Sequence, residues 1–313
     1  AMLAKYDYIT EDTLAYFSGE KAPRTLNARD NVIVRLTDTQ SNVLLPVTAE
    51  RNRVMRENLE AWARRCKNLR VWDYNITFKF PAVPTPTLTT YAPDLRFFRQ
   101  HNVEGMFIEF ERPLSADLRD MKLWILCKLL EDPTQNVEAL EREFTSGYYG
   151  PAAPMVREYL ASLRDAARKS DADVEWFSTL GRFSYLTPEF LKQANAIYDR
   201  AAAAVANDPV YSRRVRRARF AVDDALLRRL PDFMLNWVRA GHKPEEFAWD
   251  RDEVAARYLQ TQTEQIDLQL PADKRAAALK EVSDEVARWT AGPLYTPPPA
   301  KFRDVPLTHV TTY

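Results

Sequence analysis

The sequence has few of the residues that metal and phosphate sites require. Its 313 residues include only 3 histidines, 2 cysteines and 7 glycines. No two Cys or His residues have the spacing of a zinc-ligand pair, so we expect no metal. No glycine-rich loop precedes a Lys-Ser or Lys-Thr pair, which argues against nucleotide chemistry, and we expect no cofactor. Cys66 and Cys127 indicate two small buried thiols rather than a disulfide framework.

A net charge and long apolar runs are absent as well. The 44 basic residues balance 44 acidic ones, so no global field attracts nucleic acid, and we expect no nucleic-acid partner. No apolar run approaches ~18 residues, which predicts no membrane span. The location of the protein stays open. We expect secretion or a periplasmic location if the native gene carries an upstream signal peptide.

Short β-rich runs alternate with helical segments over the first 110 residues. The predicted strands are residues 13–17, 31–36, 69–74 and 103–110, and crossover helices are predicted at residues 49–66 and 92–101. After Pro113 the β signal almost stops. Amphipathic helices are predicted there at residues 118–130, 137–145, 152–169, 188–206, 210–230, 253–268 and 272–290.

This pattern predicts an α/β fold, a partial (β/α)-barrel of the TIM-barrel type followed by an α-helical region. We expect residues 1–112 to form a barrel half and residues 113–170 to form barrel-closing helices. An α-helical region over residues 171–291 and an extended tail over 292–313 follow. Four strands are half of a closed barrel, so the sheet edges need cover from the chain's own helices, a second copy or a missing barrel half from another chain.

Polar residues cluster where the predicted strands end, which is where barrel enzymes place their active sites. Paired carboxylates, hydroxyl-binding groups and aromatic rings together are typical of a sugar site. Glu109 and Glu111 share one strand face and are the candidate catalytic carboxylates. The candidate binding residues are Tyr16, Arg35, Asp38, Trp72, Asp73, Tyr74 and Asn75.

Each candidate also has an ordinary structural interpretation. Arg35 and Asp38 are equally compatible with a surface ion pair. Trp72 is more often a core residue than a sugar platform. Asp73 lies among apolar residues and requires a partner or a ligand, because an isolated buried charge is costly. We expect Asp73 and Tyr74 to share a concave strand-end surface with Arg35.

Two further motifs have a structural interpretation. The arginine-rich run at residues 213–219 spreads around a helix and is followed by Asp223 and Asp224, which predicts a solvated, partly paired helix. The Tyr148-Tyr149-Gly150-Pro151 segment predicts a turn between two helices, with its tyrosines filling the seam.

That turn also carries a family resemblance. The segment Gly-Tyr-Tyr-Gly-Pro-Ala-Ala-Pro at residues 147–154 resembles the signature of the family called domain of unknown function 4838, and is similar to glycoside hydrolase family 163. Further blocks agree in order at residues 31–35, 61–74, 95–107, 128–130 and 132–133. The resemblance covers residues 13–160, about half of the chain.

The resemblance implies a (β/α)-barrel enzyme of bacterial glycan breakdown, with endo-β-N-acetylglucosaminidase action on N-glycans. It makes Arg35, Asp73 and Tyr74 probable site residues. Two positions depart from the family pattern. Ile108 stands where relatives commonly carry an acidic residue, so that Glu109 is shifted by one position, and Thr77 stands where they carry asparagine.

Three functional hypotheses follow. The first is a glycoside hydrolase, or a fragment of one, that acts on β-linked N-acetylglucosamine-containing glycans. The second is a noncatalytic carbohydrate-binding homologue that retains the site without a complete catalytic pair. The third is a helical scaffold that mediates protein contacts. Sugar binding without turnover separates the second from the first, and exposed apolar helix faces favour the third.

Overall fold

The computed structural model describes residues 11–110, 116–297 and 299. Within these residues the chain is a mixed α/β protein with a four-stranded parallel sheet followed by helices. The strands lie side by side in chain order as β1 (Glu11–Ala15), β2 (Val32–Thr37), β3 (Asn68–Asn75) and β4 (Val103–Phe110). The prediction of an α/β fold with four parallel strands is therefore confirmed.

The helices lie close to their predicted positions, and several begin at a side-chain cap. Asn136, Thr187 and Asp250 each accept a hydrogen bond from a backbone N–H of the first turn, which satisfies donors that the helix cannot pair itself. The α-helices are α1 (Arg53–Ala63), α2 (Leu88–Gln100), α3 (Arg119–Glu131), α4 (Val137–Tyr149), α5 (Ala153–Arg168), α6 (Pro188–Ala204), α7 (Pro209–Arg239), α8 (Arg251–Gln269) and α9 (Ala272–Thr290).

One face of the sheet is covered by helices α1 and α2. Alternate strand residues such as Leu36 and Val71 pack there against Met55, Leu59 and Phe98. Their side chains share a face because successive strand residues point to opposite sides. This core holds the sheet and its two crossover helices together.

The opposite face of the sheet, which we call the open face, carries exposed apolar and charged side chains. Leu14 and Phe107 are 52% and 42% exposed. Arg70 pairs with Glu104 at 3.3 Å, and Arg35 pairs with Asp12. Parallel sheets normally have both faces covered, so this face differs from a conventional parallel sheet.

A register shift at the start of β4 decides which face its later residues occupy. Leu69 is opposite Val103, but Arg70 is opposite Gly105, so Glu104 is an extra residue in β4. An extra residue reverses the alternation beyond it. Glu109 is consequently opposite Tyr74 and shares its face, the open face.

By contact density the chain consists of two compact units, residues 1–218 and 219–313. The first contains the sheet and helices α3 to α6, and a buried ion pair joins Lys122 to Asp117 at 2.9 Å there. Asp117 also accepts a hydrogen bond from the backbone N–H of Thr85 at 3.0 Å. This carboxylate therefore ties α3 to the loop before α2.

The second unit is helical. Phe220 stacks on Tyr258 at 4.6 Å between ring centroids, and Tyr258 meets the edge of Trp289 at 5.3 Å. Asp223 accepts a hydrogen bond from Arg257 at 2.8 Å. Apolar stacking and buried charge pairing thus hold α8 and α9 to the later part of α7.

The Gly-Tyr-Tyr-Gly-Pro segment forms the junction between α4 and α5. Tyr149 is buried, and the Tyr148 hydroxyl donates to Asp120 at 2.6 Å while Arg214 lies 4.3 Å above its ring. Gly150 has φ +52° and ψ −125°, a conformation that side chains rarely allow. A Cβ on Gly150 would lie 2.6 Å from the ring of Tyr211, so both the backbone conformation and the close approach of this ring require glycine.

Gly150→Ala is therefore expected to lower the free energy of unfolding by roughly 2–4 kcal/mol, through backbone strain and overpacking against Tyr211. Gly147 is a matched control in the same motif, because it is helical and a Cβ there would meet nothing within 4 Å. Gly147→Ala should raise stability by about 0.5–1 kcal/mol. Urea denaturation measures both, and equal effects of the two substitutions would contradict this account.

Candidate functional site

Three aspartates line a small recess at the carboxyl end of the sheet. Asp38 follows β2, Asp73 lies near the end of β3, and Asp94 belongs to α2. Tyr74 and Trp176 also line this acidic recess, whose volume is about 40 Å³. That is room for a few water molecules or one substituent of a larger ligand.

Burial raises the pKa of all three carboxyl groups. The pKa of Asp73 rises to about 7, mainly through desolvation and then through repulsion by Asp38. The pKa of Asp94 rises well above its usual value through burial, against the effect of a 2.7 Å hydrogen bond from the backbone N–H of Val47. Desolvation also raises the pKa of Asp38, although the backbone N–H groups of Gln40 and Ser41 donate to it.

No cation balances these carboxylates among the residues that the structure describes, since neither Asp38, Asp73 nor Asp94 takes part in an ion pair there. Carboxylates that share a site cannot all ionise easily, so a proton is held within the group near neutral pH. A carboxylic acid beside carboxylates is the arrangement needed for general acid and base chemistry.

Tyr74 lies between the acidic recess and the open face. Its ring lines the recess and stacks near Trp176, at 4.2 Å between centroids. Its hydroxyl is hydrogen-bonded to Tyr16, and its pKa is raised by burial, by that tyrosine and by the charge of Glu109. Glu109 thus faces Tyr74 from β4, as the register of the two strands requires.

Trp176 comes from a segment between α5 and α6, residues 171–186, which we call the strap. Its indole Nε1 donates to the carbonyl of Thr39 at 2.8 Å, and its own carbonyl accepts from the N–H of Phe78 at 2.8 Å. The strap also receives a hydrogen bond at Val174 from the N–H of Val43 at 2.8 Å. Residues assigned to the helical region from sequence therefore belong with the carboxyl edge of the sheet.

Two sequence-based expectations about Arg35 need correction. Arg35 pairs with Asp12 rather than with Asp38. It is opposite Arg70, so it shares a face with Trp72 and Tyr74, whereas Asp73 points to the helix-covered side. The expected single surface of Arg35 and Asp73 is wrong, because consecutive residues of β3 occupy opposite faces.

The remaining predicted residues are distributed over the same edge. Asn75 lines the acidic recess with Asp38 and Asp73. Trp72 packs against the exposed ring of Phe107 at 4.4 Å on the open face, outside the helix-covered core. Glu111 lies outside the described residues.

Sequence reasoning missed Asp94 and Trp176. Asp94 directly follows Pro93 inside a helix, and a single acidic residue there has the pattern of a solvated helix position. Trp176 lies in a stretch without helical or strand periodicity. The signal for it is Trp176-Phe177, two large aromatic residues side by side in a segment without helix or strand periodicity.

No group of three or more His, Cys, Asp or Glu side chains in the described ranges is arranged to hold a metal ion. Likewise, no helix in that part of the chain is long and apolar enough to cross a membrane.

The family model described as domain of unknown function (DUF4838) matches residues 3–161, which include all four strands and the Gly-Tyr-Tyr-Gly-Pro turn. No curated protein and no solved structure matches the chain. The match covers half of the sequence, and the chain therefore belongs to the DUF4838 family.

Proposed function

We propose that the protein is a glycoside hydrolase, or part of one, that acts on β-linked N-acetylglucosamine-containing glycans in the manner of glycoside hydrolase family 163. The observation that carries this proposal is the acidic recess at the carboxyl edge of the sheet, where Asp73 holds a proton near neutral pH beside aromatic rings. In this proposal the sheet is the later half of a (β/α)-barrel, and its open face is the interior of that barrel.

Glycoside hydrolysis needs one carboxylic acid to protonate the leaving oxygen and one carboxylate that acts as a base or nucleophile. Asp73 suits the first role, because its pKa of about 7 keeps it protonated in part of the molecules at neutral pH. Glu109 suits the second role from the open face, with Tyr74 between the two groups. Glu111 remains a candidate for the second role from its place beyond β4.

The size of the acidic recess favours a second function, a carbohydrate-binding homologue without turnover. Pockets that enclose a whole ligand measure about 300 Å³ or more, and the recess is far smaller. A sugar would then lie along the edge with one substituent in the recess. Sugar binding without release of product would identify this function.

Asp73→Asn and Glu109→Gln should each lower the rate of glycan release by about 10²–10⁴-fold, while binding changes by less, because each removes a proton-transfer or nucleophilic group. The assay follows hydrolysis of an N-glycan together with binding of chitobiose by calorimetry.

Glu104→Gln is the control, since Glu104 lies on β4 like Glu109 but is exposed and pairs with Arg70. Binding by the wild type without hydrolysis would favour the noncatalytic function, and no binding at all would refute both.

Asp73 should also make stability depend on pH. The pKa of Asp73 is raised in the folded state, so its contribution to stability is fully present below pH 4 and is lost as pH rises towards 7. Between pH 5 and pH 8 the free energy of unfolding should therefore fall by about 1–3 kcal/mol, allowing for screening at a partly exposed side chain. Urea denaturation of wild type and Asp73→Asn at both pH values tests this, and the variant should gain stability at pH 8. If the stability of wild type and of Asp73→Asn changes equally with pH, Asp73 ionises normally in the folded protein.

A further inference from the structure

The strap places one aromatic ring, that of Phe177, in solvent beside Trp176, which lines the acidic recess. Trp176 and Phe177 are the central residues of a turn in which the N–H of Ser178 donates to the carbonyl of Glu175 at 3.0 Å. The Trp176 ring points inward and lines the recess, whereas Phe177 is 52% exposed. Turns of this kind favour Gly, Asn, Asp and Ser, so a half-exposed phenylalanine is unusual here.

The exposed ring is held in a fixed orientation. Phe177 stacks on Phe78 with 5.1 Å between centroids and an angle of 22° between ring planes, and it contacts Trp176 at 4.7 Å. Trp176 is itself fixed by its hydrogen bond to the carbonyl of Thr39. A ring that is stacked in this way gives up little conformational freedom when a ligand covers it.

The strap is fastened to the sheet loops on both sides of this turn. The Asn42 side chain donates to the carbonyl of Ala172 at 3.0 Å, and Arg51 forms ion pairs with Asp173 at 3.0 Å and Glu175 at 2.6 Å. Farther along, the Tyr185 hydroxyl donates to the carbonyl of Pro84 at 2.7 Å. The position of Phe177 relative to the recess is therefore set by bonds on each side of it.

The surroundings fit a pyranose ring. Such a ring has an apolar face of C–H groups and a rim of hydroxyl donors, and it stacks well on an aromatic surface. Phe177 adjoins the recess through its contact with Trp176, and the recess is lined by Asp38, Asp73 and Asn75, whose carboxyl and amide groups suit hydroxyl and acetamido groups. A protein partner would require a much larger apolar surface than one ring.

We propose that Phe177 is a stacking platform for a hexose ring of a glycan, and that the strap thereby sets which sugar is bound next to the acidic recess. This inference rests on the proposed function and adds a specificity residue to it. Residues 171–186 lie outside the part of the chain matched by the family model, so the platform is a property of this chain rather than one inferred from the family.

The test uses the full chain with chitobiose and with cellobiose, which lacks the acetamido groups. Phe177→Ala should weaken chitobiose binding about tenfold, the effect expected when an aromatic stacking contact is lost. If the protein hydrolyses the glycan, KM should rise with little change in kcat, because a platform contributes equally to ground state and transition state. Phe177→Trp should restore binding.

Leu130→Ala is the matched control, because Leu130 on α3 is 49% exposed and does not line the recess. It should leave binding unchanged, and the melting temperatures of the Phe177 and Leu130 variants should stay close to that of the wild type. Unchanged chitobiose binding by Phe177→Ala, with weakened binding by Asp73→Asn, would overturn the platform and leave the proposed function intact. Absence of binding by the wild type would overturn both. If the wild-type protein binds cellobiose and chitobiose with equal affinity, Phe177 does not select acetamido sugars, and the proposed role of Phe177 in specificity is refuted.

Discussion

A buried pair of asparagines holds the carboxyl edge of the sheet together. Asn42 and Asn52 are each 2% exposed, and the Asn52 side chain accepts from the N–H of Asn42 at 2.8 Å and donates to the carbonyls of Asn42, Leu45 and Pro46. Asn42 in turn joins the strap through Ala172 and Val174. A buried amide must satisfy both its donors and its acceptor, so these hydrogen bonds fix the loop after β2, the start of α1 and the strap in one arrangement. The same loop, helix start and strap form the walls of the acidic recess.

The same edge contains interactions that oppose folding. Asp38, Asp73 and Asp94 are desolvated and repel one another, and no cation offsets them among the described residues. The helix-covered core of Leu36, Leu59 and Val71 stabilises the sheet on the other side of these loops. Functional sites often contain charge repulsion that destabilises the fold, and a well-packed framework around them compensates for it.

The sequence predicted the order and position of the strands, because β-branched residues and alternating helical segments are local signals. The sequence did not predict which residues come together in the acidic recess. The pairing of Asp73 with Asp38 and Asp94 depends on which face each strand residue occupies, and Asp94 reaches the site only through the packing of α2. The strap was assigned to the helical region because its bonds to Thr39 and Phe78 join residues about 100 or more positions apart. Similarly, the helix predicted at residues 210–230 continues past Pro231 to Arg239.

The extra residue in β4 decides which face of the sheet Glu109 occupies. Simple alternation from Val103 would turn Glu109 towards the helices. The shift at Glu104 turns Glu109 to the side of Tyr74 instead. Carboxylates consequently approach Tyr74 from two sides, Glu109 from the open face and Asp73 from the recess. In the proposed function, a ligand that spans this tyrosine contacts Asp73 on one side and Glu109 on the other.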